Sequence, residues 1–358
     1  MADPQTPVLV RHEDAETFAT NLLIAAGVPP APAAITASAL VEADLRGVES
    51  HGINRLPSYL ARMRHGVLDP AASPTLVHLT PAVAQINAHN TLGFPAAALA
   101  IDTAVSLAST SGIGLVSVTA SNHFGMAAWL VRRAATAGFL SLVFTTASPA
   151  LAPWGGRVPL LGIAPLACGA PGSPHPFILD MAPSVAARGR IHRALRRGEA
   201  IPVGWALDKE GRETEDPAAA LDGGVMMPVG GPKGVGLAVM MEVLAGVMTG
   251  AGFAGGVVGP GDVSRPAGVG HLVVAMRADL FVSAEEFRER MGVLWGEVVG
   301  AERREGVDRI WFPGEREQVC EERRREGGIP YVRGEVEVLN EEARRLGVEG
   351  LREMVEGV

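Results

Sequence analysis

The 358 residues read as an α/β protein with a helical part assembled from both chain ends. Three observations carry that reading. Two short β-rich runs, IGLVSVT at 113–119 and FLSLVFT at 139–145, flank a helical stretch at 125–137, and strand–helix–strand order implies helices layered on a sheet. The first seventy residues carry apolar residues at helical spacing, and the last sixty return to charged, helical sequence. Finally, 47% of the residues are hydrophobic and 20% charged, which suffices to bury a large core. An α/β domain is therefore expected over 76–290, with a helical domain formed by 1–75 and 291–358.

The elements follow in order. Helices are expected at 14–26 and 31–46, separated by the breaker GVPP. A third should open at Ser50, an N-cap type of residue, and run to about 65, with Pro57 kinking it or delaying its start. An Ala-rich helix is expected at 94–111. Beyond the 113–145 unit, strands are expected near 177–179 and 271–276. The stretch 234–256 is apolar apart from Glu242 and Thr249. Its glycines, its central carboxylate and its lack of basic or aromatic flanks argue for a buried core helix ending after Met248, not a membrane span. EERRRE at 321–326 reads as a solvated helix face, and 335–358 as a terminal helix.

Charge and cysteine usage exclude several function classes. Thirty-one basic against 39 acidic side chains give −8, so there is no electrostatic footprint for nucleic acid. Two cysteines, Cys168 and Cys320, are too few for a disulfide framework and wrongly placed for a metal site. The acidic N-terminal stretch has no apolar run of signal-peptide length. A soluble, cytoplasmic protein without a metal is expected. Glycine, at 44 residues, is in excess, as close backbone approaches around a cofactor require.

Four clusters carry candidate chemistry. In SHGINRLPSY, a helix opening at Ser50 would align His51, Arg55 and Tyr59 at i, i+4 and i+8. Arginine binds a carboxylate bidentately, tyrosine offers a hydroxyl, and histidine titrates near neutrality; an exposed polar helix face would show the same spacing. In SNHFG, His123 follows a strand and precedes a helix, where α/β proteins gather free N–H groups around ligands; it would equally serve as a helix cap. Asp180 ends an apolar run and is either a partner that orients a histidine or an exposed strand end. Lys233, one of two lysines beside 29 arginines, sits in the glycine cluster GGPKGVG at a helix start, a place for a phosphate or ribose contact or a plain surface turn. No nucleophile elbow and no zinc-protease helix motif occur. Proton donors and anion clamps without a metal cage suit redox chemistry on a diffusible cofactor.

Taken together the clusters resemble the malate/L-lactate dehydrogenase-like family of NAD(P)-dependent oxidoreductases, a non-Rossmann group. The matching stretches, in family order, are ADLRGVESHGINRLPSYLARMRHGVLDP, SNHFGMAAW, SPALAPWGGRVPLLG, FILDMAPSVAARGRI, IPVGWALDKEGRETEDPAAAL, GGPKGVGLAVMMEVLAGV and FPGERE. The resemblance implies a central NAD(P)-binding α/β domain with a mixed sheet. It implies His51 as proton donor, with Ser50 and Asp180 as its relay, and Arg55 as the clamp for the substrate carboxylate, beside Tyr59. It implies cofactor contacts from His123, Phe124, Gly125, Met126 and Ala127, from the stretch holding Leu179, Asp180, Met181 and Ser184, from Pro232 and Lys233, and from Pro313, Gly314 and Glu315. A homodimer with the active site near the subunit contact is also implied.

The sequence departs from the family pattern at LGIAP, where LGTNP is usual. Ile163 and Ala164 replace a substrate-contacting threonine and its asparagine neighbour. Val235 and Arg190 likewise stand where Tyr and Lys are common. A more apolar pocket keeps two activities open, on a 2-hydroxy/2-oxo acid or, as a ketimine reductase, on a cyclic imino acid with NAD(P)H. A silent nicotinamide-binding homologue is the third reading.

Overall fold

The computed structural model describes residues 7–354. A seven-stranded sheet lies at the centre, in the spatial order Thr75–Thr80, Val83–Asn87, Ile113–Ser121, Val269–Arg277, Phe139–Thr145, Leu166–Ala170 and Phe177–Met181. All neighbours are antiparallel except Val83–Asn87 against Ile113–Ser121, so the sheet is mixed. Residue pairs such as Val273 with Val116 and Val143 set the register of the middle strands. These alternate side chains point into the core and are fully buried. The Ala-rich helix Gly93–Ser111 packs on Ile113–Ser121, and its small residues permit close approach: a Cβ on Gly114 would come within 2.0 Å of the Ala104 carbonyl oxygen.

The chain ends meet. His12–Ala25 packs on Pro30–Leu45, and both lie near the C-terminal helices Glu315–Gly327 and Arg333–Leu346. The reading of an all-helical beginning misses one element. Pro7–Val10 is a strand, pairing antiparallel with Ile329–Val332. Its alternating exposed and buried residues are a strand signal too short to register beside the helix that follows. One buried core runs from Val8 and Val10 through the N-terminal helices into the central sheet.

Other expectations shift in instructive ways. The helix expected from Ser50 is two 3₁₀ turns, Glu49–His51 and Ile53–Arg55, before Leu56–Arg64 begins with Pro57 in its first turn. A proline ring fits there because that N–H would be unpaired anyway. His51, Arg55 and Tyr59 therefore do not share one helix face. The 125–137 helix starts at Ala128 because Gly125 adopts φ +79°, outside helical space. The 234–248 segment is α-helical over Pro232–Met241 and then widens into a π-helical stretch, Glu242–Val247. The run 321–326 is not simply solvated. Glu321 and Arg324 are buried, pairing with Arg46 and with Glu49. The last expected helix covers Arg333–Leu346, and positions 355–358 of that expectation lie outside the described residues. No helix among the described residues is long and apolar enough to cross a membrane.

Candidate active site

The 3₁₀ turns deliver what the continuous helix was expected to deliver. His51 Nδ1 lies 2.8 Å from Ser50 Oγ. Arg55 Nε donates to the Ser50 carbonyl, leaving its two Nη groups without a protein acceptor among the described residues. Tyr59, fully buried at the start of the true helix, donates from its hydroxyl to His123 Nδ1 at 2.7 Å. His123 Nδ1 also accepts the Gly125 N–H, so its proton sits on Nε2. The His51 and His123 rings stack with centroids 5.4 Å apart. Ser50, His51, Arg55, Tyr59 and His123 thus form one cluster.

Its electrostatics favour neutral imidazoles. Burial, helped by the adjacent Arg55 charge, lowers the His51 pKa to about 4. Burial and the neighbouring His51, Arg55 and His271 lower His123 well below its usual range. Burial raises the Tyr59 phenol. Asp180 takes a different place from the relay position expected of it. Its carboxylate accepts the Ala128 N–H at 2.8 Å and also bonds the Ala127 N–H, at the opening of helix Ala128–Thr136. Burial lifts its pKa to about 6. Asp180 is not among the groups that move His51, whose shift comes from burial and Arg55.

The strand Phe177–Met181 and its continuation to Ser184 gather the other expected segments. Asp180 ties this stretch to Ala127 and Ala128. The Ile178 N–H donates to the Pro313 carbonyl at 3.1 Å, and a Cβ on Gly314 would strike Ile178 at 2.7 Å. Farther along, the Val229 N–H donates to the Pro183 carbonyl at 2.8 Å, Ser184 bridges Pro228, and Gly234 packs on Pro183. Leu179 is half-buried and Met181 exposed, whereas Phe124, Met126 and Ala127 are buried. Glu315 is buried with its carboxylate turned onto Arg309 and the Phe312 N–H, so it shapes its own turn instead of facing a ligand. Ile163 packs against the apolar cluster that includes Leu161 and, from helix Arg188–Arg197, Ile191 and Ala194. The Gly189 backbone of that helix abuts Ser50.

These residues fit a nicotinamide nucleotide. Gly230 and Gly231, both with φ near +60°, lead into helix Pro232–Met241, whose first N–H groups have no side-chain cap. Pro232 and Lys233 are exposed in that first turn, and the Trp154 ring lies against Gly231. The Lys233 ammonium beside this glycine turn suits a phosphate by its charge, since the first helical N–H groups, of Lys233, Gly234 and Val235, are already directed at the Gly230 and Gly231 carbonyls. No group of three or more metal-ligating side chains exists among the described residues.

Three supporting residues escape sequence reasoning. His271 is fully buried in the central sheet, its Nε2 2.8 Å from Ser121 Oγ and its Nδ1 2.7 Å from Thr145 Oγ1. Its ring packs against Phe124 in a tilted arrangement, with centroids 4.7 Å apart, next to His123. Asp44 accepts the Ile53 N–H, and Glu242 accepts the Gly162 and Ala254 N–H groups. His271 and Glu242 are each a lone polar residue inside an apolar run, which is the only signal the sequence offers for them, while Asp44, flanked by Glu42 and Arg46, offers none.

The malate/L-lactate dehydrogenase family matches residues 10–340. A (2R)-3-sulfolactate dehydrogenase (NADP(+)) of Chromohalobacter salexigens is 40% identical over 270 residues, covering 75% of this chain and 80% of that protein. The structure of malate dehydrogenase from Pyrococcus horikoshii superposes with a TM-score of 0.89 at 32% identity, covering 96% of this chain and 97% of the other. That of delta1-piperideine-2-carboxylate reductase from Pseudomonas syringae pvar. tomato superposes with a TM-score of 0.84 at 28% identity, covering 94% and 99%.

Proposed function

Because the chain belongs to the malate/L-lactate dehydrogenase family, and so to the nicotinamide-dependent oxidoreductases acting on CH–OH groups, we propose that it interconverts a small 2-hydroxy acid and its 2-oxo acid. The observation that carries this is the single cluster of Ser50–His51, Arg55 and Tyr59–His123. The free Nη groups of Arg55 take the substrate carboxylate as a bidentate pair. Bound NADH or NADPH supplies the hydride to C2. His51, with Nδ1 engaged by Ser50, donates a proton from Nε2 to the developing alkoxide and takes it back in the reverse direction. Tyr59 fixes His123 so that its Nε2–H is a donor toward substrate or cofactor. Asp180 acts at one remove, holding the backbone of Ala127 and Ala128 and hence the loop of His123. The cofactor is held by His123 to Ala127, Leu179 to Ser184, Pro232, Lys233, Pro313 and Gly314.

Oxidation of reduced nicotinamide, followed by absorbance, tests this. NADH and NADPH are each offered with pyruvate, oxaloacetate, sulfopyruvate, an aromatic 2-oxo acid, and pyrroline- and piperideine-2-carboxylate. Turnover of an oxo acid is expected, reduced about 10²–10⁴-fold in His51→Ala. Loss of less than tenfold would remove His51 from its role.

A second reading, reduction of a cyclic imino acid, is favoured by the apolar Ile163 and Ala164 and by the likeness to the P. syringae reductase. An imine binds already protonated, so turnover confined to the imines with a mild His51→Ala effect would select it. Cofactor binding without any turnover would select the silent homologue. The exposed row Val239, Val243 and Val247, one helical turn apart and continued by Met248, supports the homodimer. Light scattering tests that. Free Cys168 and Cys320 suit a reducing cytoplasm.

A further inference from the structure

The turn that carries His51 is braced from behind by the C-terminal end of the chain. Asp44, next to last in helix Pro30–Leu45, is 1% exposed. Its Oδ2 accepts two hydrogen bonds, from the Ile53 N–H at 2.9 Å and from the Tyr331 hydroxyl at 2.8 Å. Tyr331 is buried in the strand Ile329–Val332, nearly three hundred residues away in sequence. Between His51 and Ile53 stands Gly52, where a Cβ would come within 1.6 Å of Asp44 Oδ1. The backbone angles at Gly52, φ −85° and ψ −160°, are open to any residue, so glycine is required there by the carboxyl group and not by conformation. Arg324 closes the arrangement from the other side, donating to the Asp44 carbonyl and to the Glu49 carboxylate.

We propose that Asp44 and Tyr331 are positioning residues for His51: the carboxyl group, held by the C-terminal phenol, fixes the Gly52–Ile53 turn and thereby the imidazole. The proposal rests on His51 being the proton donor. Burying a carboxyl group is costly, and here burial pushes its pKa to about 7 despite the Ile53 N–H, Tyr331 and Arg324, with Glu49 adding repulsion. An apolar contact would hold two elements together at lower cost. What the carboxyl group adds is direction, because one oxygen fixes the Ile53 amide of the turn and the Tyr331 hydroxyl at once.

The test uses the full chain with ring-labelled histidine, the His51 resonance being assigned by its loss in His51→Gln. Tyr331→Phe keeps the ring and removes one hydrogen bond. It is expected to move the His51 resonance and its titration and to lower kcat about tenfold. The KM for reduced nicotinamide should stay within twofold. Asp44→Asn, which retains an oxygen acceptor, should keep more of kcat than Asp44→Ser. A Tyr331→Phe protein with an unaltered His51 resonance overturns the proposal, whatever its kcat or melting temperature. If no substrate turns over even in the wild type, the proton-donor reading fails. The resonance then still decides whether Tyr331 positions His51.

Discussion

His51 is neutral at pH 7, since burial and Arg55 bring its pKa to about 4. A neutral imidazole is ready to accept a proton, which is the role required in oxidising a hydroxy acid. Reduction requires the imidazolium. A substrate carboxylate seated on Arg55 cancels one of the two causes of the depression, so the proton enters with the substrate. The free enzyme governs kcat/KM. For oxo-acid reduction, log kcat/KM should therefore fall with a slope near −1 as pH rises from about 6 to 9, while hydroxy-acid oxidation shows no such fall. His51→Gln should abolish the difference between the two directions. A reduction profile flat across that range would mean that another group supplies the proton.

Elements matter here through where they stop. Gly125 ends the loop with a left-handed backbone, and Pro57 sets the start of its helix, so that His51 lies on a 3₁₀ turn. Gly52→Ala is expected to lower kcat at least a hundredfold, because its Cβ must displace the Asp44 carboxyl group. Gly236→Ala is the control. It lies in helix Pro232–Met241 with nothing within 4 Å of its Cβ, and it should leave kcat alone and raise stability by about 0.5–1 kcal/mol. Equal losses from both would separate the Gly52 effect from Asp44. His51, Arg55 and His123 were legible in the sequence because polar residues cluster there between breakers. The helix face proposed to align them was not, since a proline in the first helical turn and a proline inside a helix look alike in sequence. Asp44 and His271 were illegible for a different reason. Their partners, Tyr331, Ser121 and Thr145, are brought to them only by the packing of distant segments.

At the scale of the whole molecule, the mixed sheet and the meeting of the chain ends share one core, and buried titratable groups are spread through it. Their effects on stability oppose one another with pH. His271 has a pKa near 3 in the folded protein because burial outweighs the Gly270 and Asn122 backbone bonds. Its unfolded value is about 6.5. The folded state then binds fewer protons, and its contribution is present above about pH 6.5 and lost progressively as pH falls toward 3. Asp44 and Asp180, raised by burial to about 7 and about 6, run the other way. Their folded forms keep protons longer, so their contribution is fullest below about pH 4 and is lost as pH rises through 6 to 7. His271→Leu isolates the histidine. Ser121 and Thr145 then fall back on the main-chain carbonyls they already approach. The loss at pH 8 should be about 2 kcal/mol by urea unfolding, two hydrogen bonds at about 1 kcal/mol each. As pH is lowered from 8 the gap between wild type and variant should close near about pH 5 and reverse by pH 4, because only the wild type carries the penalty of charging a buried imidazole. A gap that widens as pH falls from 8 toward 6.5 would mean that His271 is already charged in the fold. In that case the hydroxyls of Ser121 and Thr145 would both be accepting from it, and Phe124, next to His123, would pack against a cation.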